Sequence, residues 1–170
     1  MEILDLYDAE GVPLGRTIVR GNLPEAGVYM LLVHVCVFDG SNRMLIQQRQ
    51  LSKKSYPGLW DVSAGGFVQS GEQSGPAACR ELLEELGLAR REEELHFVLR
   101  EPFSCVLDDF YALRINLERE KLQLQESEIS TVRFADREEI FRLQREEKFV
   151  DYNPALWDRL FHAAEDLPAV

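Results

Sequence analysis

The stretch GFVQSGEQSGPAACRELLEELGL (66–88) decides how this chain is read. It places Glu81, Glu84 and Glu85 within two helical turns, with Glu72 just upstream, although like charges three and four residues apart repel. Ser74, Gly75 and Pro76 supply cap and first-turn residues, and Gly87 a left-handed C-terminal cap with Leu88 packing beyond it, so the spacing predicts a helix over 74–86. At about 100° per residue, with Glu81 at zero, Glu85 lies near 40°, Glu84 near −60° and Arg80 near −100°. Ala78, Cys79, Leu82, Leu83 and Leu86 fall between roughly 60° and 200°. The helix therefore divides into an apolar face that can sit on a sheet and a carboxylate face turned toward the glycine-rich stretch SAGGFVQSGEQSG (63–75).

Working outward, 170 residues with 45% hydrophobic and 29% charged composition fit one globular domain over 1–170. No run approaches the roughly 18 apolar residues of a membrane span, and MEILDLYDAEG has neither the basic nor the apolar region of a leader, so no membrane partner is expected. Cys36, Cys79 and Cys105 are widely spaced and odd in number, which indicates neither a disulfide framework nor a zinc site and fits a reducing cytoplasm. A net charge of −11 repels long nucleic acid. A small phosphorylated substrate stays open, because local basic groups or a divalent cation can reverse the field at one site.

Strand-like runs occur at 29–38, 43–49, 94–103, 106–117 and 130–135, and helical periodicity at 74–86, 136–146 and 153–165. The expected architecture is a mixed β-sheet with flanking helices, an α/β or α+β sandwich. The Trp157, Leu160 and Phe161 stripe of the last helix either closes the fold or forms a dimer contact, so monomer and homodimer both stand. His34, on an otherwise apolar run, reads as a hydrogen-bonded core residue.

An acidic helix face is most often simply solvated, and each repulsive pair costs only tenths of a kcal/mol. The spacing to the glycine loop argues for more. Gly66, five residues, Glu72, seven residues, Arg80-Glu81-Leu82, one residue, Glu84-Glu85, one residue, Gly87-Leu88 resembles the Nudix box at every defined position. At average residue usage a random window meets its seven single-residue positions on the order of 10⁻⁸ of the time. The resemblance implies a Nudix-type α/β/α sandwich and hydrolysis of a diphosphate linked to another moiety X, a nucleoside diphosphate derivative, by metal-activated water. It implies that Glu81, Glu84 and Glu85 coordinate Mg²⁺ or Mn²⁺, that the Gly65 carbonyl adds a ligand, and that Glu72 supports through water. Carboxylates and carbonyls are the hard oxygen donors these cations take. Arg80 is expected to orient Glu84 through an i,i+4 ion pair. The general base is either Glu81 or an acid outside the box, with Glu126, Glu128, Asp108 and Asp109 as candidates.

Outside the box, LIQQRQLSKKSYPGLWDVSAGG (45–66) is similar to a Nudix branch close to type I isopentenyl-diphosphate isomerase. That similarity implies that Arg49 and Lys53 contact phosphate. Trp60 and Phe67, with Phe103 and Phe110, could offer a base-stacking surface. The isomerase's catalytic cysteine segment is replaced by WDVSAGGF (60–67), with Ser63 or Ala64 where the thiol should stand. Its metal-binding histidine falls near Met30, and its paired glutamates fall on SCVLDDF (104–110), which has no glutamate. Hydrolysis is thus favoured over an isomerase-like activity, and over a ligand-binding Nudix module without turnover, since the box is intact.

Overall fold

Alternating strands that carry apolar residues on both faces need cover on both sides, and the chain provides it with helices. The computed structural model describes residues 1–116 and 121–170. Strands β3 (Met30–Phe38), β4 (Met44–Arg49), β7 (His96–Phe103), β8 (Val106–Arg114) and β9 (Ile129–Ala135) fall on the five strand-like runs. The run to 117 stops short as a strand, and Leu117 itself lies outside the described residues. Reading of the sequence missed β1 (Ile3–Tyr7), β2 (Pro13–Val19), β5 (Trp60–Asp61) and β6 (Ala64–Phe67). β2 is largely exposed and β6 is half glycine, so neither carries the apolar alternation that marks a strand.

β1 and β2 pair as an antiparallel hairpin. The main sheet runs β5-β4-β3-β8-β7, with β6 added to β3 and β9 to β4. It is mixed: β3 and β8 are parallel over nine residue pairs, Met30↔Val106 to Phe38↔Arg114, and the other pairings are antiparallel. Helix α1 (Ser74–Leu86) covers one face, packing Ala78, Leu82 and Leu86 on Val33, Val35 and Leu113. Helices α2 (Arg137–Arg145) and α3 (Ala155–Glu165) belong to the core of the opposite face with Cys36, Phe38, Phe110 and Ala112. The result is the expected α/β/α sandwich. The Trp157, Leu160 and Phe161 stripe of α3 is buried in that second core, each side chain contributing about 2–3 kcal/mol of transfer free energy. Trp157 also donates its indole N–H to Gln144 at 2.6 Å, which ties α3 to α2.

Gly87 closes α1 at φ 71°, a left-handed position where its N–H reaches Leu83 and that of Leu88 reaches Leu82. The other end differs from expectation. Ser74 is helical and caps nothing; its hydroxyl donates to Asp109 on β8. The described chain has no helix long and apolar enough to cross a membrane, and its three cysteines are free.

Candidate active site

The carboxylate face of α1 is solvated only at Glu84. Glu81 and Glu85 are buried together with Ala78, Leu82 and Leu86, whereas Leu83, placed on the apolar face by periodicity, is half exposed. The reason is β6. Its glycines lie over the helix, and a Cβ built on Gly66 would sit 2.2 Å from Glu81 Oε1. A side chain at position 66 would push the Glu81 carboxylate out; glycine there lets the backbone close over it.

Arg80 organises this layer, though not through Glu84. Its guanidinium donates to both oxygens of Glu72 at 2.9 Å each, to Glu81 Oε1 at 2.6 Å and to the Phe67 carbonyl at 3.0 Å. The expected i,i+4 contact to Glu84 is the longest of its contacts, 3.5 Å, because Glu84 is half exposed while the buried acids compete better for the fork. Glu72 thus meets Arg80 and the Gln69 N–H directly. Burial alone would raise its carboxyl, but those bonds outweigh burial and hold it below the ordinary value.

Glu85 sits deeper. Gln47 donates to its Oε2 at 2.8 Å, and the Gly65 N–H lies 3.4 Å from the same oxygen. Burial, then repulsion from Glu81, push its carboxyl up to about 8. Burial also raises Glu81, against the pull of Arg80. Among the described residues no three His, Cys, Asp or Glu side chains are already arranged to hold a metal ion. The donor chemistry nevertheless fits one: Glu81, Glu84 and Glu85 offer only hard oxygens, and two of them are buried carboxyls whose ionised form a cation would stabilise. Arg80 engages only Oε1 of Glu81, which leaves Oε2 for a cation.

These acids form one wall of a cavity of about 610 Å³, a size suited to a small-molecule ligand. Arg49 and Lys53 also line it, and each is already paired, Arg49 with Asp61 at 3.1 Å and Lys53 with Glu128. Phe67 lines the cavity with Arg20 over its ring at 5.2 Å. Trp60 does not: the pleat that turns Asp61 inward turns Trp60 away, under Arg133 at 4.6 Å. The four acids proposed outside the box separate in the same manner. Asp108 and Glu128 line the cavity; Asp109 and Glu126 do not. Ser63 is fully buried, accepting the Val37 N–H and donating to the Leu45 carbonyl, and Met30 is buried in a small core beneath the hairpin, so neither stands at the cavity.

Gln47, Asp61 and Tyr152 are among the cavity residues that escaped sequence reading. Gln47 and Asp61 sit in short strands without a motif, and Tyr152 arrives from the segment before α3. Tyr152 donates to Asp61 at 2.6 Å and packs edge-on against His34, while His34 Nε2 lies 3.2 Å from Asp108. His34 is thus the hydrogen-bonded buried residue expected, and part of the cavity wall as well.

The NUDIX domain family model matches residues 28–157. An uncharacterized Nudix hydrolase of Listeria innocua is 34% identical over 152 residues, covering 89% of this chain and 90% of its own length. Another from Pseudomonas aeruginosa is 36% identical over 143 residues, 78% of each chain. Among solved structures, DR0079 from Deinococcus radiodurans superposes with a TM-score of 0.77 at 24% identity, over 94% of this chain and 99% of its own. The box on α1, the sandwich that carries it and the relatives that match along most of their length agree: this chain belongs to the Nudix hydrolase family.

Proposed function

We propose that the protein is a Mg²⁺- or Mn²⁺-dependent pyrophosphohydrolase that cleaves the diphosphate linkage of a nucleoside diphosphate derivative. The observation that carries this reading is the single cavity in which Glu81, Glu84 and Glu85 share space with Arg49 and Lys53. Glu81, Glu84, Glu85 and the Gly65 carbonyl would hold the cation, which when bound neutralises phosphoryl charge and acidifies water. Arg80 and Glu72 set the position of Glu81. Arg49 and Lys53 bind and orient the diphosphate, Arg49 with its planar fork and Lys53 as a point charge. Because Lys53 is held by Glu128, a phosphate that draws it away also frees a carboxylate at the cavity wall. Glu81 and Glu128 are accordingly the two groups positioned to take the proton of the attacking water.

The test is release of phosphate or nucleotide across a panel of nucleoside diphosphate derivatives with Mg²⁺ or Mn²⁺, repeated with Glu84→Gln and Glu85→Gln. Each substitution is expected to cost more than the roughly 10–100-fold typical of groups that only support a metal ligand. Activity unchanged by both would remove the assignment.

A further inference from the structure

The sheet face beneath the cavity carries carboxylates that the reaction above does not use, Asp108 among them. Leu32 and His34 of β3 and Val106, Asp108 and Phe110 of β8 project to the same side, since Leu32 is the register partner of Asp108 and His34 that of Phe110. Asp108 is nearly buried, and its Oδ1 lies 3.2 Å from His34 Nε2. His34 is itself fixed: it stacks on Phe110 at 4.6 Å and 15°, and its Nδ1 lies 3.4 Å from the Tyr152 hydroxyl. Asp108 is therefore oriented through one oxygen, and among the described residues the other, Oδ2, has no hydrogen-bond partner. Asp61 and Asp109 contrast with it. Asp61 is engaged by Arg49, Tyr152 and the Val62 N–H, and Asp109 by Arg100 and Ser74.

The surroundings of that oxygen restrict what can meet it. Leu32, Val106 and Phe103 give apolar walls along the cavity, and Phe103 is 57% exposed, a ring face accessible to a flat partner. An ionised carboxylate only accepts hydrogen bonds. A planar ring bearing an N–H donor matches the carboxylate and its walls together, whereas a ring carbonyl in the same place would oppose charge with partial charge.

We propose that Asp108 is a specificity-determining residue that accepts a hydrogen bond from the exocyclic amino group of the substrate's base, so that amino-bearing bases are preferred to their oxo counterparts. This rests on the nucleoside diphosphate reading above and deepens it. Cytosine against uracil and adenine against hypoxanthine are near-isosteric pairs in which the exocyclic amino donor becomes a carbonyl acceptor and the neighbouring ring nitrogen turns from acceptor to donor.

The experiment measures kcat and KM for cytidine, uridine, adenosine and inosine diphosphates with the wild-type protein, Asp108→Asn and Asp108→Ser. Equilibrium binding of the same four to the metal-free proteins is read beside it. The wild type is expected to favour each amino member roughly 5- to 150-fold, through KM and dissociation constant. Asp108→Asn, whose amide can present either a donor or an acceptor, is expected to bring each pair within about threefold. Asp108→Ser is expected to do the same by withdrawing the acceptor. Equal handling of each pair by the wild type, or ratios intact in both variants, would overturn the inference. So would a uniform fall in kcat with the ratios preserved, which would place Asp108 in the chemistry. Should no diphosphate be hydrolysed while the binding preference is present and lost in the variants, the proposed activity falls and the assignment of Asp108 stands.

Discussion

Gly66 lies so close to Glu81 that a Cβ on it would be 2.2 Å from Oε1 and 2.4 Å from Cδ of that carboxylate. The carboxylate is the end of a flexible side chain, so Gly66→Ala should fold and lose only about 1 kcal/mol, yet Glu81 must leave its place under β6. The expected signature is a melting temperature within a few degrees of wild type together with a loss of metal-dependent turnover of roughly 100-fold. A variant that keeps wild-type turnover would show that the position of Glu81 is unimportant.

Arg80 joins Glu72, Glu81 and the Phe67 carbonyl, which a single ammonium cannot span. Arg80→Lys should destabilise the protein by about 1–3 kcal/mol in urea unfolding. A double-mutant cycle with Glu72→Gln should return a coupling of about 0.5–3 kcal/mol. A coupling near zero would mean that the fork contributes nothing beyond its separate contacts.

Asp109 is 1% exposed and accepts from Arg100 at 2.5 and 2.8 Å and from Ser74, whose oxygen in turn accepts from Tyr111. It clamps the first turn of α1 to β8. Asp109→Ala leaves Arg100 partly buried without its partner and should cost about 3 kcal/mol. Chemical denaturation checks this, and a loss under 1 kcal/mol would show that the clamp is dispensable.

Glu85 predicts how the metal-free protein responds to pH. Its carboxyl is raised in the fold from an ordinary 4.5 to about 8, so its contribution is fully present below about pH 4.5 and is lost as pH rises through 8. In a chelating buffer, wild type should lose stability between pH 5 and 8.5 relative to Glu85→Gln, which cannot ionise. The gap should reach a few kcal/mol, roughly 5 °C or more, at the alkaline end and close toward pH 5. Parallel curves for the two proteins would contradict the burial argument.

The box was legible because its spacing is fixed by two local requirements, a helix phase and a glycine loop, and both are written in consecutive residues. The same locality explains the five strands and three helices that periodicity found. What periodicity could not show is depth. Glu81 and Leu83 are two residues apart, and tertiary cover from β6 buries the acid and leaves the leucine half exposed. Arg80 was assigned to Glu84 from helix geometry alone, while its main partner, Glu72, comes from the loop before the helix. Trp60 was read as a ligand contact from its type, and a pleat two residues long turned it away. Tyr152 reaches the cavity only because α3 folds back across the sheet.

Asp108 and Asp109 divide one strand between two duties, facing the cavity and facing the helix clamp. Strand pairing keeps them apart by parity, so a single inserted or deleted residue in β8 would exchange them and disable both. Change on this strand can therefore proceed by substitution but not by length. A lineage that alters what it recognises at position 108 can do so with the clamp untouched, provided the residue count between Val106 and Arg114 is conserved.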